Sequence, residues 1–273
     1  MLGPCELAED CSWGHRMSSV LRLRDADGVE WFLKRHHERE RYEAEVLAYR
    51  CWTSALGDRA ASLRASDDQL QAVVLSTLPG ESPAWPDLTD LVPREADLAL
   101  HREAGRLLRL FHEAQPAEAW DDFGAAKLEE LERLEPDALT LLSHRETEVV
   151  RGEIRALAGL CGLSKVPCHH DYNLRNWLVD EGGAVHVIDF EWARLDVWVS
   201  DLVRLRVGVW RDRPFLEEAF LDGYGRRLDD AELAALRGCA ILTAVWLVIK
   251  AHETGRRSFE EGNREILRTL LSQ

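Results

Sequence analysis

The segment His169-His-Asp-Tyr-Asn-Leu-Arg-Asn176 runs directly into Trp177-Leu-Val-Asp-Glu-Gly-Gly-Ala-Val-His-Val-Ile-Asp189, and no other stretch constrains the fold as strongly. Residues 177–179 and 185–188 have strand character, and Gly182-Gly183 is a two-residue hairpin signal. A four-residue loop over 181–184 predicts that Val179 faces His186, Trp177 faces Ile188 and Asn176 faces Asp189. Directly opposed residues hold their Cα atoms about 4.5–5.5 Å apart. An amide oxygen and a carboxylate then meet at the open end of one hairpin. Both are hard oxygen donors of the kind Mg²⁺ takes alongside phosphates and water. Asp171 precedes Asn176 by five residues, on the loop entering the hairpin. A carboxylate there can accept the proton of an attacking hydroxyl and orient it toward a phosphoryl group without binding the metal.

The rest of the chain divides in character near residues 78–82. Residues 20–23 and 29–34 flank Asp25-Ala-Asp-Gly28, a hairpin turn, and 71–78 read as a buried strand stopped by Pro79-Gly80. Between them, 38–52 predict a helix with Tyr42, Val46 and Tyr49 on one face. Beyond Gly80, Leu100, Ala104, Leu107, Leu108, Phe111 and Ala114 mark a long amphipathic helix, and 127–134 and 147–160 are helical too. A short strand-rich insert covers 166–190, and helices resume near Val199. The expected fold class is α+β, with a small strand-rich part over 1–78 and a larger, mainly helical part over 79–273.

H-x-D-x-x-x-x-N followed by an I-D-F strand end resembles the catalytic and metal motifs of the aminoglycoside phosphotransferase and choline kinase-like family. Protein kinases carry the same arrangement in variant form. His169, Asp171 and Asn176 match the first motif, and Asp189 and Phe190 the second. The resemblance implies a bilobal protein-kinase-like fold, with residues 1–78 as nucleotide-binding lobe and 79–273 as catalytic and substrate-binding lobe. It implies Asp171 as the catalytic residue, Asn176 and Asp189 as Mg²⁺ ligands, and Lys34 as the phosphate-binding lysine. Glu43 would be the ion-pair partner of Lys34, with Glu45 as the fallback. The Ser76 carbonyl and Leu78 amide would bind the adenine edge, a backbone contact that leaves GTP open beside ATP. Residues 14–20 would cover the phosphates through Ser18 and Ser19, although they lack the usual glycines. His169 and Asp201 would support the catalytic loop. His170 stands where the family usually has glycine.

Ten tryptophans and 46% apolar residues describe a folded globular chain, and most of the tryptophans are expected in the core. His36 and His37 are expected at the surface. A net charge of −15 argues against nucleic acid as partner. The six cysteines include no C-x-x-C pair and read as reduced thiols. No signal pattern opens the chain, and the longest apolar run, 239–249, is too short to span a bilayer, so a cytoplasmic protein without a membrane partner is expected. The resemblance implies a hydroxyl-bearing small molecule as acceptor. The 175–177 and 188–191 segments resemble actinobacterial resistance kinases, which points to an antibiotic of aminoglycoside, peptide or nucleoside type. Glu191, Trp192, Asp196 and Trp198 are candidate acceptor-pocket residues, and their carboxylates would suit a cationic acceptor. A metabolic kinase for choline, homoserine or a sugar is the alternative in the same class. A catalytically silent kinase fold is another. A phosphohydrolase built on His170-Asp171 would need further helical histidines, for which His101 and His112 are the upstream candidates.

Overall fold

The computed structural model describes residues 3–12, 18–84 and 92–272. Strand β1 (Cys5–Asp10), β2 (Ser18–Asp25) and β3 (Glu30–His36) precede helix α1 (Arg39–Cys51). Strands β4 (Leu63–Asp67) and β5 (Ala72–Ser76) complete an antiparallel five-stranded sheet in the order β1-β2-β3-β5-β4. The β2–β3 turn forms where Asp25 and Gly28 predict it. The Asp25 carboxylate accepts from the Asp27 and Val29 N–H groups and from Trp31 Nε1, and Gly28 takes a φ of +81°. Strand β1 escapes the sequence reading because Cys-Glu-Leu-Ala-Glu-Asp has no apolar alternation. Its charges suit a sheet edge, where unpaired backbone groups would otherwise invite another strand.

The helical part holds α2 (Glu95–His112), β6 (Glu118–Ala119), α3 (Phe123–Leu141), α4 (His144–Ala156), β7 (Ser164–Cys168), β8 (Trp177–Val179) and β9 (Val185–Val187). It continues with α5 (Val203–Val207), α6 (Pro214–Tyr224), α7 (Asp230–Glu253) and α8 (Arg257–Ser272). Helices α4 and α7 start on reciprocal capping boxes, Ser143 with Glu146 and Asp229 with Glu232. Among the described residues, α7 alone has the length and apolarity of a membrane span, and it is mostly buried inside the protein. The chain groups into two compact units. The first comprises Met1–Pro116, Pro167–Leu195 and Arg213–Gly225, and the second Ala117–Val166, Asp196–Asp212 and Arg226–Gln273.

In the first unit α2 and α6 meet backbone to backbone. A β-carbon on Gly105 would fall 2.1 Å from the Phe220 carbonyl oxygen, and one on Gly223 only 1.8 Å from that of Arg102. The helix α2 positioned this way supports the 169–176 loop, since the Tyr172 hydroxyl donates to the Ala104 carbonyl at 2.8 Å. Gly223→Ala is therefore expected to lower unfolding stability by at least ~2 kcal/mol through overpacking. Urea denaturation measures this, and a wild-type midpoint would refute the close contact.

His101, on the buried face of α2, donates from Nδ1 to the Asp97 carbonyl at 2.8 Å and meets Trp177 edge-on. Burial pushes its pKa down to about 4, against the backbone hydrogen bond and the nearby Asp97 carboxylate. The unfolded chain then binds more protons than the folded one between about pH 6.5 and 4, so stability falls as pH drops through that window. The His101 contribution amounts to about 3 kcal/mol at its full extent. His101→Gln is expected to flatten that part of the stability–pH curve, as measured by denaturant melts at stepped pH.

Candidate active site

Residues two apart on a strand share a face. Lys34 and His36 on β3 are both buried on the same side, while Arg35 between them is exposed. Lys34 Nζ reaches Glu45 Oε2 at 3.2 Å, Asp189 Oδ1 at 2.5 Å and Glu191 Oε2 at 2.9 Å. His36 Nε2 lies 2.6 Å from Glu45 Oε2, and Arg41 Nη1 donates to Glu191 Oε1 at 2.8 Å. One buried charge cluster thus ties β3, α1 and the segment after β9 together. Burial alone would lower the Lys34 pKa, but Asp189, Glu45 and Glu191 hold it well above its ordinary value. For Asp189, burial acts upward, and the Lys34 charge and hydrogen bond outweigh it, keeping the carboxyl below its usual range.

Two expectations are corrected here. The Lys34 partner is Glu45, whereas Glu43 lies at the surface and pairs with Arg39 at 2.7 Å. Helix α1 buries Arg41, Tyr42, Glu45, Val46, Ala48 and Tyr49. At 3.6 residues per turn Glu45 sits about 60° from Tyr42 and Glu43 about 100° on the other side, so the Tyr42–Val46–Tyr49 stripe already favoured Glu45. His36 is buried between two carboxylates, with Glu191 Oε2 at 3.6 Å from Nδ1, rather than exposed.

The hairpin register is also corrected. Trp177 pairs with Val187, Leu178 with His186 and Val179 with Val185. The Ile188 N–H donates to the Asn176 carbonyl at 3.1 Å. The Asp180 N–H donates to the Ala184 carbonyl, the Asp180 carboxylate accepts the Ala184 N–H, and Gly183 takes a φ of +80°. The loop between the paired ends is therefore residues 181–183, an odd length that shifts every partner by one. Asp189 lies one step beyond the residue opposite Asn176. A φ of +71° turns the backbone there, a conformation that few residues other than glycine adopt.

Asp171 is 1% exposed and rigidly held. Its Oδ1 accepts from Asn173 Nδ2 at 3.0 Å, and its Oδ2 accepts from Asn176 Nδ2 at 3.0 Å and from Arg175 Nη2. His169 donates from Nε2 to the Ile188 carbonyl at 3.0 Å and accepts the Asp171 N–H at Nδ1, so it links the loop to the hairpin. His170 has a φ of +62°, which gives the physical reason for a glycine at that position in the family motif. Asn176 directs its Nδ2 at Asp171, and no described residue donates to its Oδ1. The Asp189 side chain is 31% exposed and gives only Oδ1 to Lys34. An amide oxygen and a carboxylate oxygen, both hard donors, are thus left for a cation, a set that fits Mg²⁺.

Ser18 and Ser19 open β2, opposite His36 and Arg35, while residues 14–17 of the expected phosphate loop lie outside the described residues. Ser76 ends β5 opposite Trp31, and no described residue hydrogen-bonds the Leu78 N–H. Glu81 pairs with Val179 through two backbone hydrogen bonds. Gly80 permits this, since a β-carbon there would stand 2.5 Å from the Val179 carbonyl. The expected acceptor-pocket residues are engaged internally. Glu191 belongs to the charge cluster and Trp192 lies under the Arg41 guanidinium at 3.9 Å. In the second unit Asp196 accepts from the buried Lys127 at 3.0 Å, and Trp198 Nε1 donates to Glu232 at 2.6 Å. Asp201 is buried in the 3₁₀ turn Trp198–Leu202 of that unit.

The description "Phosphotransferase enzyme family" (APH) matches residues 12–239 of this sequence. The chain belongs to the APH phosphotransferase family. Membership makes it a small-molecule phosphotransferase. A search of curated proteins by sequence found no match. Among solved structures, a thermostable mutant of the aminoglycoside phosphotransferase APH(4)-Ia is 14% identical, with a TM-score of 0.72, 99% of this chain covered and 95% of the other. Choline kinase LicA from Streptococcus pneumoniae is 14% identical, with a TM-score of 0.73, 100% of this chain covered and 95% of the other. Macrolide 2'-phosphotransferase MphH from Brachybacterium faecium is 17% identical, with a TM-score of 0.62, 97% of this chain covered and 91% of the other. The likeness establishes the protein-kinase-like α+β fold.

Removing one member of a buried ion cluster strands its partners, at about 3–5 kcal/mol. Glu45→Gln is expected to lose stability on that scale, while Glu43→Gln stays within about 0.5 kcal/mol of wild type. Paired chemical denaturation curves check this, and equal losses would overturn the assignment of Glu45.

Proposed function

We propose that the protein is an ATP- and Mg²⁺-dependent O-phosphotransferase acting on a hydroxyl of a small molecule, with an antibiotic of aminoglycoside, peptide or nucleoside type as the leading acceptor class. The observation that carries the reading is the convergence of Lys34, Asp189 and Asn176 with a rigidly oriented Asp171 in one unit. Phosphoryl transfer is catalysed mostly by positioning and charge stabilisation, which is what such a set provides. A ternary complex of the APH(4)-Ia mutant with AMP-PNP and hygromycin B supports both halves of the reading.

In this reading residues 1–78 carry the nucleotide and 79–273 the catalytic loop and acceptor. The Ser76 carbonyl and Leu78 N–H take the adenine edge, so GTP fits the same backbone pattern. Ser18 and Ser19 lie at the start of the strand that follows the phosphate loop. Lys34, braced by Glu45, contacts the phosphates. Asn176 Oδ1 and Asp189 hold Mg²⁺, which supplies charge neutralisation on the phosphate chain when bound. Asp171 receives the proton of the acceptor hydroxyl and directs its lone pair at the γ-phosphorus. His169 and Asp201 act as structural supports. The site works in the cytoplasm, and the acidic surface excludes nucleic acid as partner. A second reading, phosphorylation of choline or a related metabolite, is favoured by the choline kinase likeness at a TM-score of 0.73.

Asp171→Ala is expected to keep Mg-ATP binding and to lose ~10²-fold or more in transfer rate. Asp189→Ala should lose both metal-dependent binding and transfer. An ADP-release screen over antibiotics and metabolites finds the acceptor, and nucleotide titrations of both variants check the roles. Near-wild-type transfer by Asp171→Ala would refute the mechanism.

A further inference from the structure

Arg175 stands out because it is half exposed yet caps a buried carboxylate of the site, Asp171. Its side chain is 51% exposed, and that of Asp171 is 2%. Its backbone is pinned at both ends. The Arg175 N–H donates to Asn173 Oδ1 at 3.1 Å, and the Arg175 carbonyl accepts from the Ser82 hydroxyl at 2.8 Å. Only the side chain is free to move. No described residue accepts from its Nε or Nη1, so most of the five-donor guanidinium faces outward.

The Asp171 carboxylate accepts from three side-chain donors. Asn173 holds Oδ1, and Asn176 and Arg175 share Oδ2. The two asparagines are buried parts of the loop itself and cannot leave without unfolding it. Arg175 is the one exposed donor of the three, so an incoming hydroxyl reaches Oδ2 by taking the place of Arg175. The displaced guanidinium stays tethered beside the acceptor, in the field of Asp171, Asp189 and Glu191, which together raise its pKa against the effect of burial. A planar fork of N–H donors matches two oxygens of a phosphoryl group.

Resting on the phosphotransferase reading above, we propose that Arg175 is a two-position catalytic arginine: it covers Asp171 when no acceptor is bound and contacts the transferring phosphoryl group when the acceptor hydroxyl replaces it. In the transfer step the acceptor oxygen forms a bond to the γ-phosphorus as the bond from that phosphorus to the bridging oxygen breaks. The electron pair of the broken bond leaves on the β-phosphate of ADP, and the hydroxyl proton passes to Asp171 Oδ2. Arg175 donates hydrogen bonds to the equatorial phosphoryl oxygens while charge spreads over them, the role that gives arginine fingers ~10³–10⁵-fold in rate.

The test needs no organic acceptor, because the water axial to a planar aluminium fluoride stands in for the attacking hydroxyl at Asp171 and takes the place of Arg175 there. Full-length wild type, Arg175→Ala and Arg175→Lys are titrated with Mg-ADP alone and with Mg-ADP plus aluminium fluoride, a mimic of the planar phosphoryl group. Wild type is expected to bind the second combination at least ~10²-fold more tightly, as transition-state analogues do. Arg175→Ala should bind Mg-ADP like wild type, which shows that it is folded, yet lose most of the aluminium fluoride gain. Arg175→Lys should recover part of it, and added guanidinium ion should restore it to Arg175→Ala. A full gain in Arg175→Ala, or no gain in wild type that binds Mg-ADP, overturns the role of Arg175 and leaves the phosphotransferase reading intact. Wild type that fails to bind Mg-ADP overturns the phosphotransferase reading and this inference with it.

Discussion

The buried charge cluster around Lys34 is the interaction on which the site depends. Three carboxylates, Asp189, Glu45 and Glu191, lie within 3.2 Å of one ammonium; Arg41 adds a second cation, and His36 lies against Glu45 and Glu191. Such a cluster is weak as a source of stability, since desolvating the ions offsets most of their attraction. Its value is directional. Glu45 comes from α1 and Asp189 and Glu191 from the segment after β9, and each is stranded if the others move. The cluster therefore fixes β3, α1 and the segment after β9 to one another more sharply than apolar packing, which tolerates sliding. Glu191 matters most in this respect, because it joins Lys34 on the sheet to Arg41 on the helix from two residues beyond Asp189.

Around that anchor the backbone holds two residues in a left-handed conformation. His170 and Asp189 flank the site on the loop before the hairpin and on the strand end after it. Non-glycine residues with positive φ carry strain that persists only where the surroundings over-determine it. Here those surroundings are visible. His169 ties the loop to the Ile188 carbonyl, and Lys34 takes the Asp189 carboxylate. The one-residue register shift gives the Asp189 turn a purpose: the ladder does not place Asp189 opposite Asn176, and the left-handed turn re-aims its carboxylate at Lys34.

Much of this was legible in the sequence, for identifiable reasons. The β2–β3 turn, α1, the apolar stripe of α2 and the strand character of 177–179 and 185–187 follow from local patterns that tertiary packing does not override. Three features were not legible by pattern alone. The register turned on whether Asp180 and Ala184 would close a three-residue loop, a choice made by one side-chain hydrogen bond. The burial of His36 depended on Glu191, which is 155 residues away in sequence. The engagement of Asp196 depended on Lys127, a residue with the spacing of any solvated helix lysine. Glu45, by contrast, could have been chosen over Glu43 from helix angles.

These pairings also change what the net charge of −15 means. A surplus of acid suggests a cationic acceptor only if the acids near the site are free to meet it. Glu191 faces Lys34 and Arg41, and Asp171 faces Arg175. Each carboxylate already has its own cation. On the proposed reading, ligand binding at the catalytic loop is then an exchange of partners rather than the filling of a negative cavity. Arg175 trades Asp171 for phosphoryl oxygens, and Lys34 trades part of its hold on Asp189 for the phosphate chain. Exchange of this kind keeps Asp171 hydrogen-bonded by Asn173, Asn176 and the acceptor hydroxyl and keeps Lys34 paired, so most of the desolvation cost falls at folding and is not repeated in each turnover.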